Sequence, residues 1–450
     1  MNTPSLIESL FGVLRAEEEH WLPEVFVRPP LFNVLKQDSS TIVYGESGSG
    51  LSAARRMLKQ EAGSQVFVSF WSPDVLSLSQ EQPSGTQLAQ LLLKQILGAC
   101  VENLILEGGL PNRLPSPAET VQAALQWFLH TYLPFEPSFY LETLADRLTQ
   151  EEQEWYLRLL KKEAVPILRP SAGVNDQMRL WLMLLRQARY ERLWIAIDAS
   201  GYFSQPAEEK MIAMLEVLLS TLAVFRIGEA AFKLFMPVSA KAVLRAAAGV
   251  ERLRAEEIDL RWREEDLIQM ILNRLKYAFG DQSFSFEQIF AGGEFINWLR
   301  EYGGSNPRDW LALVKPLVIA YAEQGKPLTA QQCRQIIRQH PPRLRLDRQR
   351  REVWIGRKCI PITSDADFRL LEYLVDHAGK ICSLAELYYY AHERLDYVPS
   401  TDDKRWIAPA SWRGAMDTLL WRIRKKIEPD PQAPVYLITH RGQGVELMNL

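Results

Sequence analysis

Covalent and metal cross-links are scarce in this chain. Only four cysteines occur in 450 residues, Cys100, Cys333, Cys359 and Cys382, and none falls in a CxxC or mixed Cys/His ligand spacing. That argues against a disulfide framework or a structural zinc, and scattered thiols suit a reducing compartment. Long apolar runs are missing too. No stretch approaches the ~18 residues that span a bilayer, and the first ten residues lack the basic and then apolar pattern of a secretory signal. The expected location is therefore cytoplasmic, with no membrane partner. Net charge is small, with 52 Lys+Arg against 55 Asp+Glu giving −3, but it is unevenly spread. Residues 341–450 hold 18 basic and 15 acidic side chains, leaving 34 and 40 for the rest. A mildly basic tail follows an acidic body. What is plentiful is core material: 47% hydrophobic and 10% aromatic residues, enough for two to four globular domains at this length.

A further absence is local. Residues 41–52 read TIVYGESGSGLS, an apolar strand pattern running into Gly45, Gly48 and Gly50 and then Ser52. This matches the GxxxxGK[ST] phosphate loop except at the lysine, where Leu51 stands. Backbone N–H groups and the next helix N-terminus are still able to form a phosphate nest. The side chain that reaches the β- and γ-phosphates is gone; Arg55 or Arg56, one turn along the helix, are the nearby cations. Upstream, residues 1–35 read as an amphipathic helix over 5–20 and a lead-in, FVRPPLFNVL. That lead-in resembles the approach to the loop in many regulatory P-loop ATPases.

Further along, residues 65–71 (QVFVSFW) read as a buried strand and 86–107 as a helix. Residues 108–175 read as helices interrupted by prolines, an insertion without a recognisable counterpart. A helix over 176–190 leads into RLWIAID, an apolar run ending in Asp198. In this order it resembles the Walker B strand, whose aspartate holds Mg²⁺ through water. The catalytic acid expected next is Ala199. Residues 229–237 fit another strand of the sheet, with Met236 and Pro237 in place of a polar sensor. Residues 250–272 resemble the strand and acidic helix start that enter the helical lid of AAA+ and STAND ATPases. GGSNPR (303–308) resembles the GGNPR motif of that lid, which implies Arg308 as a second sensor. A helix cap with Asn306 and Pro307 explains the same residues without nucleotide.

The tail has a different pattern. Residues 344–362 alternate apolar and polar about a turn, as a small antiparallel sheet does. Ser364 to Asp367 reads as a capping box opening a helix, a second helix starts at Ser383, and a third, basic on one face, runs from Arg413 to Ile427. Residues 436–447 (YLITHRGQGVEL) read as a hairpin with two glycines at its turn. Together these closely resemble the OmpR/PhoB-type winged helix. The resemblance implies DNA contacts by Arg413, Arg422, Arg424, Lys425, Lys426 and Arg441, with the third helix in the major groove and the wing on backbone and minor groove. Two departures stand out. Residues 388–412 are about ten longer than is usual in that family, and Glu446 replaces a common aromatic.

The expected fold class is an α/β P-loop NTPase core with a helical lid, followed by an α+β winged-helix domain. The expected boundaries are 1–35 for the N-terminal helix and lead-in, 36–260 for the core, 261–340 for lid and linker, and 341–450 for the winged helix. Nucleotide, as ATP or ADP with Mg²⁺ held by Ser52 and Asp198, would contact Gly45, Gly48, Gly50 and Arg308. With Leu51 and Ala199 in place, no catalytic residue is expected and no useful ATPase activity. The expected function is a DNA-binding transcriptional regulator in which a degenerate module scaffolds or controls the winged helix, with self-association or a protein partner. The alternative is an inactive P-loop subunit of a larger ATP-driven DNA-associated assembly, such as one for replication initiation, transposition or phage defence.

Overall fold

The computed structural model describes residues 3–12, 19–72, 85–107, 109–161, 173–199, 219, 229–241, 244, 254–291, 294–400 and 409–448. They form two compact units, one of residues 28–261 and the other of residues 1–27 with 262–450.

The first unit is built on a parallel sheet of five strands: β1 (Thr41–Gly45), β2 (Val66–Trp71), β3 (Arg192–Asp198), β4 (Ala230–Pro237) and β5 (Glu256–Asp259), in the order β2-β3-β4-β1-β5. β1 to β4 are mostly buried and read as continuous apolar runs, as parallel strands do when covered on both faces. All five end at one edge, so Gly45, Asp198, Pro237 and Asp259 come out on the same side of the sheet. In open α/β sheets that edge is where ligands bind. Lys233 is an exception inside β4. It is fully buried, and its ammonium donates to the carbonyls of Gln37 at 2.7 Å and Ser39 at 2.6 Å. Burial pushes its pKa down to about 8. It thereby ties down the turn that feeds β1.

The proline-broken insertion proves to be a set of helices sharing the sheet's core. Leu110–Arg113, Glu119–Tyr132, Pro137–Thr143 and Gln150–Leu160 follow one another, and Pro111 and Pro137 lie in the first turn of their helices, where the missing N–H costs nothing. Phe128 packs edge-on to Trp181 with ring centroids 4.9 Å apart, and Phe67 of β2 meets Tyr190 at 5.3 Å. One apolar cluster therefore runs from the sheet into the insertion.

In the second unit, the helices Glu264–Phe279, Glu294–Tyr302, Pro307–Gln324 and Ala330–Gln339 form the lid. The N-terminal helix is shorter than its periodicity implied, Thr3–Phe11, and packs on the lid: Trp21 lies under the buried Arg274 guanidinium at 4.7 Å. Among the described residues, no helix is long and apolar enough to cross a membrane.

The winged helix follows within the same unit. β6 (Leu344–Asp347), β7 (Glu352–Ile355) and β8 (Lys358–Pro361) form an antiparallel sheet of three strands, one more turn than expected. Helices Asp365–Asp376, Leu384–Tyr388 and Trp412–Ile427 come next, then the wing of β9 (Leu437–His440) and β10 (Gly444–Leu447). The wing is tied to the body by a bridge in which the N–H of Cys382 donates to the Val445 carbonyl at 2.9 Å and the N–H of Val445 to the Cys382 carbonyl at 2.8 Å. The tip of the β7–β8 turn rests on the lid. Gly356 has φ +57°, and a Cβ there would lie 2.7 Å from the carbonyl oxygens of Glu301 and Tyr302. Next to it, Arg357 pairs with Glu264 at 2.8 Å. Hydrogen bonding from Arg300, reinforced by Arg357, holds the Glu264 carboxyl below its ordinary pKa.

Candidate functional site

The phosphate loop takes the shape its glycines predict. β1 ends at Gly45, Gly48 and Gly50 sit at φ +87° and +89°, and the helix Leu51–Glu61 begins directly after Gly50. Only glycine occupies that left-handed region without strain. The side chain of Leu51 folds back over β1: a Cβ on Gly45 would lie 2.8 Å from Leu51 Cγ. An apolar group therefore covers the strand end where the pattern carries an ammonium. Ser52 follows in the first turn of the helix, half-buried.

Asp198 projects from the end of β3, and Arg55 Nη1 lies 3.0 Å from its carboxylate. The same guanidinium sits over the Phe70 ring at 5.5 Å and reaches Ser72 Oγ at 3.4 Å. Sequence reading placed Arg55 near the phosphates; it occupies instead the acid expected to hold the metal. Ala199, fully buried, offers no acid beside it. At the other end of the edge Asp259 is held by Lys241 at 2.6 Å and Arg261 at 3.2 Å. The Lys241 hydrogen bond leads in lowering the Asp259 pKa. Both acids at this edge are thus neutralised by the protein's own cations. Within the core unit Gly45, Gly48, Gly50, Ser52 and Asp198 come together; Arg308 belongs to the other unit.

The turn before Arg308 is a built helix cap. Asn306 Oδ1 accepts the N–H of Asp309 at 3.1 Å, Pro307 takes the first helical position, and Trp310 Nε1 donates to the Gly304 carbonyl at 3.2 Å. Arg308 is half-buried. Burial, and then the charge of Arg343 at the entry to the winged helix, lower its pKa.

In the winged helix the six basic residues divide into two groups. Arg413, Lys425 and Arg441 are exposed, and the Lys425 ammonium sits 3.8 Å from the ring centroid of Trp421. Arg422 and Lys426 turn instead to Asp367, which is completely buried: Arg422 Nε lies 2.9 Å and Lys426 Nζ 3.0 Å from its carboxylate. Arg424 donates to the Leu437 carbonyl at 2.7 Å and to Thr439 Oγ1 at 2.6 Å, bracing the wing. Asp367 does not complete a capping box. Ser364 accepts its N–H at 3.4 Å, but its carboxylate is committed to the two cations, which offer stronger charge-assisted bonds than a backbone N–H. Two further residues were not visible in the sequence. Buried Glu428 accepts the N–H groups of Val435, Tyr436 and Leu437 at 2.6–3.1 Å, fixing the start of the wing. Glu446 pairs with His440 Nε2 at 2.8 Å across the wing, which screens the carboxylate that would face a phosphate.

Asp367→Ala is expected to cost about 2 kcal/mol. That is below the usual penalty for breaking a buried pair, because Arg422 and Lys426 have side chains 45% and 28% exposed and regain water. Burial alone would raise the Asp367 pKa, but Arg422 and Lys426 outweigh it and the net shift is downward from 3.8. Its contribution is therefore complete above about pH 4 and is lost as pH falls through the lower, folded-state value. Amide exchange over residues 365–376 measures both effects; wild-type protection in the variant at neutral pH would refute the assignment.

No family model matches the chain. Over 104 residues, 23% of this chain, it is 33% identical to the sensory transduction protein RegX3 of Mycobacterium leprae (strain TN), and it spans about half of that relative, 46% of its length. Among solved structures it is similar to the DNA-binding domain of Klebsiella pneumoniae RstA in complex with the RstA box, at 23% identity over 24% of this chain and 95% of that one, TM-score 0.19. It is also similar to Aeropyrum pernix ORC1 in complex with DNA, at 12% identity over 98% of this chain and 92% of that one, TM-score 0.35. The chain joins an OmpR/PhoB-type winged helix to a P-loop ATPase-like core with a helical lid.

Proposed function

We propose that this protein is a DNA-binding transcriptional regulator whose P-loop module, of the STAND or AAA+ kind, no longer hydrolyses nucleotide and serves to position the winged helix. The observation that carries this reading is the intact winged helix, with Arg413, Lys425 and Arg441 free of the internal pairs that occupy Arg422, Arg424 and Lys426. It is supported by the likeness to a protein named for sensory transduction. In this reading the third helix enters the major groove, the wing lies along the backbone, and self-association places two winged helices on paired half-sites one helical turn apart. Nucleotide, where it binds, rests on the glycine loop, with Ser52 and Asp198 available to Mg²⁺ only after Arg55 has moved. The tip contact of Gly356 and Arg357 with the lid gives such a movement a route to the winged helix.

The test is selection of bound duplexes from sheared genomic DNA at moderate salt, followed by titration of the best site against salt. One discrete motif is expected. Three phosphate-contacting cations per domain correspond to a slope of log K against log salt of about −3 per bound domain. Retention of DNA without any motif, or no retention, would reject the regulator.

A further inference from the structure

We propose that the base sequence is read by Asp417 and Trp421, not by the basic residues of the third helix. This rests on the regulator reading and assigns its specificity. The inner and flanking positions of Trp412–Ile427 are already in use: Met416, Leu419, Leu420 and Ile423 fill the core, while Arg422, Lys426 and Arg424 hold Asp367 and the wing. What points outward is a single stripe at helical spacing, Gly414, Asp417, Thr418, Trp421 and Lys425.

Each member of the stripe has a distinct chemistry. Nothing lies within 4 Å of where a Gly414 Cβ would be, so a bare stretch of helix surface is open to close approach. The Thr418 hydroxyl is satisfied by the Gly414 carbonyl at 2.8 Å and is not needed outside. Trp421 is 53% exposed, and Lys425 over its ring limits how the indole turns while placing a cation beside it. The major groove presents one apolar group, the thymine C5-methyl, and that is the partner for an exposed indole. Asp417 is acceptor-only, and the matching edge group is the cytosine N4 amino. A carboxylate set among phosphates weakens binding wherever that amino group is missing, so it selects by repulsion as well as attraction. The two side chains stand one helical turn apart, about 6 Å, which corresponds to one or two base pairs along the groove. The preferred site therefore contains a thymine and a cytosine within two steps of each other, flanked by phosphates held by Arg413, Lys425 and Arg441.

The experiment selects bound sequences from a random duplex pool with the full chain and with Asp417→Ala and Trp421→Ala, both at exposed positions outside the core. Trp421→Ala is expected to lose the preference at one thymine and to bind the wild-type site roughly 5- to 150-fold more weakly, the range of one good base contact. Replacing that thymine by uracil, which removes only the methyl, should weaken the wild type and leave Trp421→Ala unaffected. Asp417→Ala should lose the preference at a nearby cytosine while binding unrelated duplex more tightly. Unchanged motifs in both variants would overturn this assignment and leave the regulator standing, as would a uracil substitution that weakens both proteins equally. A wild-type protein that binds no duplex would overturn both.

Discussion

Gly444→Ala should unfold the wing, at a cost of about 4 kcal/mol or more, whereas Gly442→Ala two residues away should cost about 1 kcal/mol. Gly444 opens β10 at φ +156°, and a Cβ there would overlap the carbonyl oxygen of Cys382 and lie 2.7 Å from its carbonyl carbon. Those are backbone atoms and have no rotamer with which to yield. The strand would have to move off, and the two hydrogen bonds of the Cys382–Val445 bridge go with it. So does the burial of Val445 and Leu447, each worth roughly 1.5–3 kcal/mol on transfer. Gly442 also has a positive φ, +78°, but open space around its Cβ position, so alanine there bears only the left-handed backbone penalty of about 1 kcal/mol. Urea unfolding of the full chain, followed by amide exchange at Cys382 and Val445, separates the two. A Gly444→Ala protein within 1 kcal/mol of wild type would mean that the wing docks elsewhere in solution.

These two glycines also show what was readable in the sequence. Both were read as turn residues, since local composition marks a hairpin but not the neighbour that crowds it; only Gly442 lies in the turn. The elements themselves were legible wherever the signal is local: the apolar run into Gly45, the strand ending in Asp198, the cap at Asn306, and the three winged-helix segments with their apolar stripes. Side-chain allegiance was not legible, because it is decided over long separations. Asp367 looked like the third residue of a capping box, and its true partners are 55 and 59 residues away. The basic face of the third helix looked uniform, yet positions bordering the apolar stripe turn inward to a buried acid or a wing carbonyl. Trp421, at the centre of the outward face, carried no signal at all, since an exposed tryptophan at helical spacing reads as a core position. The insertion was opaque for a related reason. Its prolines break the periodicity on which helix reading depends, while in the structure they start helices.

Leu51→Lys alone should tighten ATP binding about 10- to 100-fold and leave hydrolysis at background, whereas Leu51→Lys with Arg55→Ala and Ala199→Glu should produce turnover. The first figure follows from one restored charge-assisted contact, about 1.5–3 kcal/mol. The second follows from the present state of the loop edge. The lysine would supply charge to the transferring phosphoryl group, but Asp198 stays paired with Arg55 and no acid next to it polarises water. Hydrolysis needs the metal, the cation and the positioned water together, so the single variant repairs one of three deficits and the triple variant all of them. Arg55→Ala on its own should bare Asp198 and let Mg²⁺ bind without giving catalysis. Nucleotide binding by calorimetry and phosphate release by the same preparations decide the matter. A wild-type rate equal to that of the triple variant would show that Arg55 serves the reaction in place of the lysine, and the reading of a silent module would fail. A rise confined to the triple variant would mean that the fold keeps its nucleotide architecture and that three side chains hold it inactive.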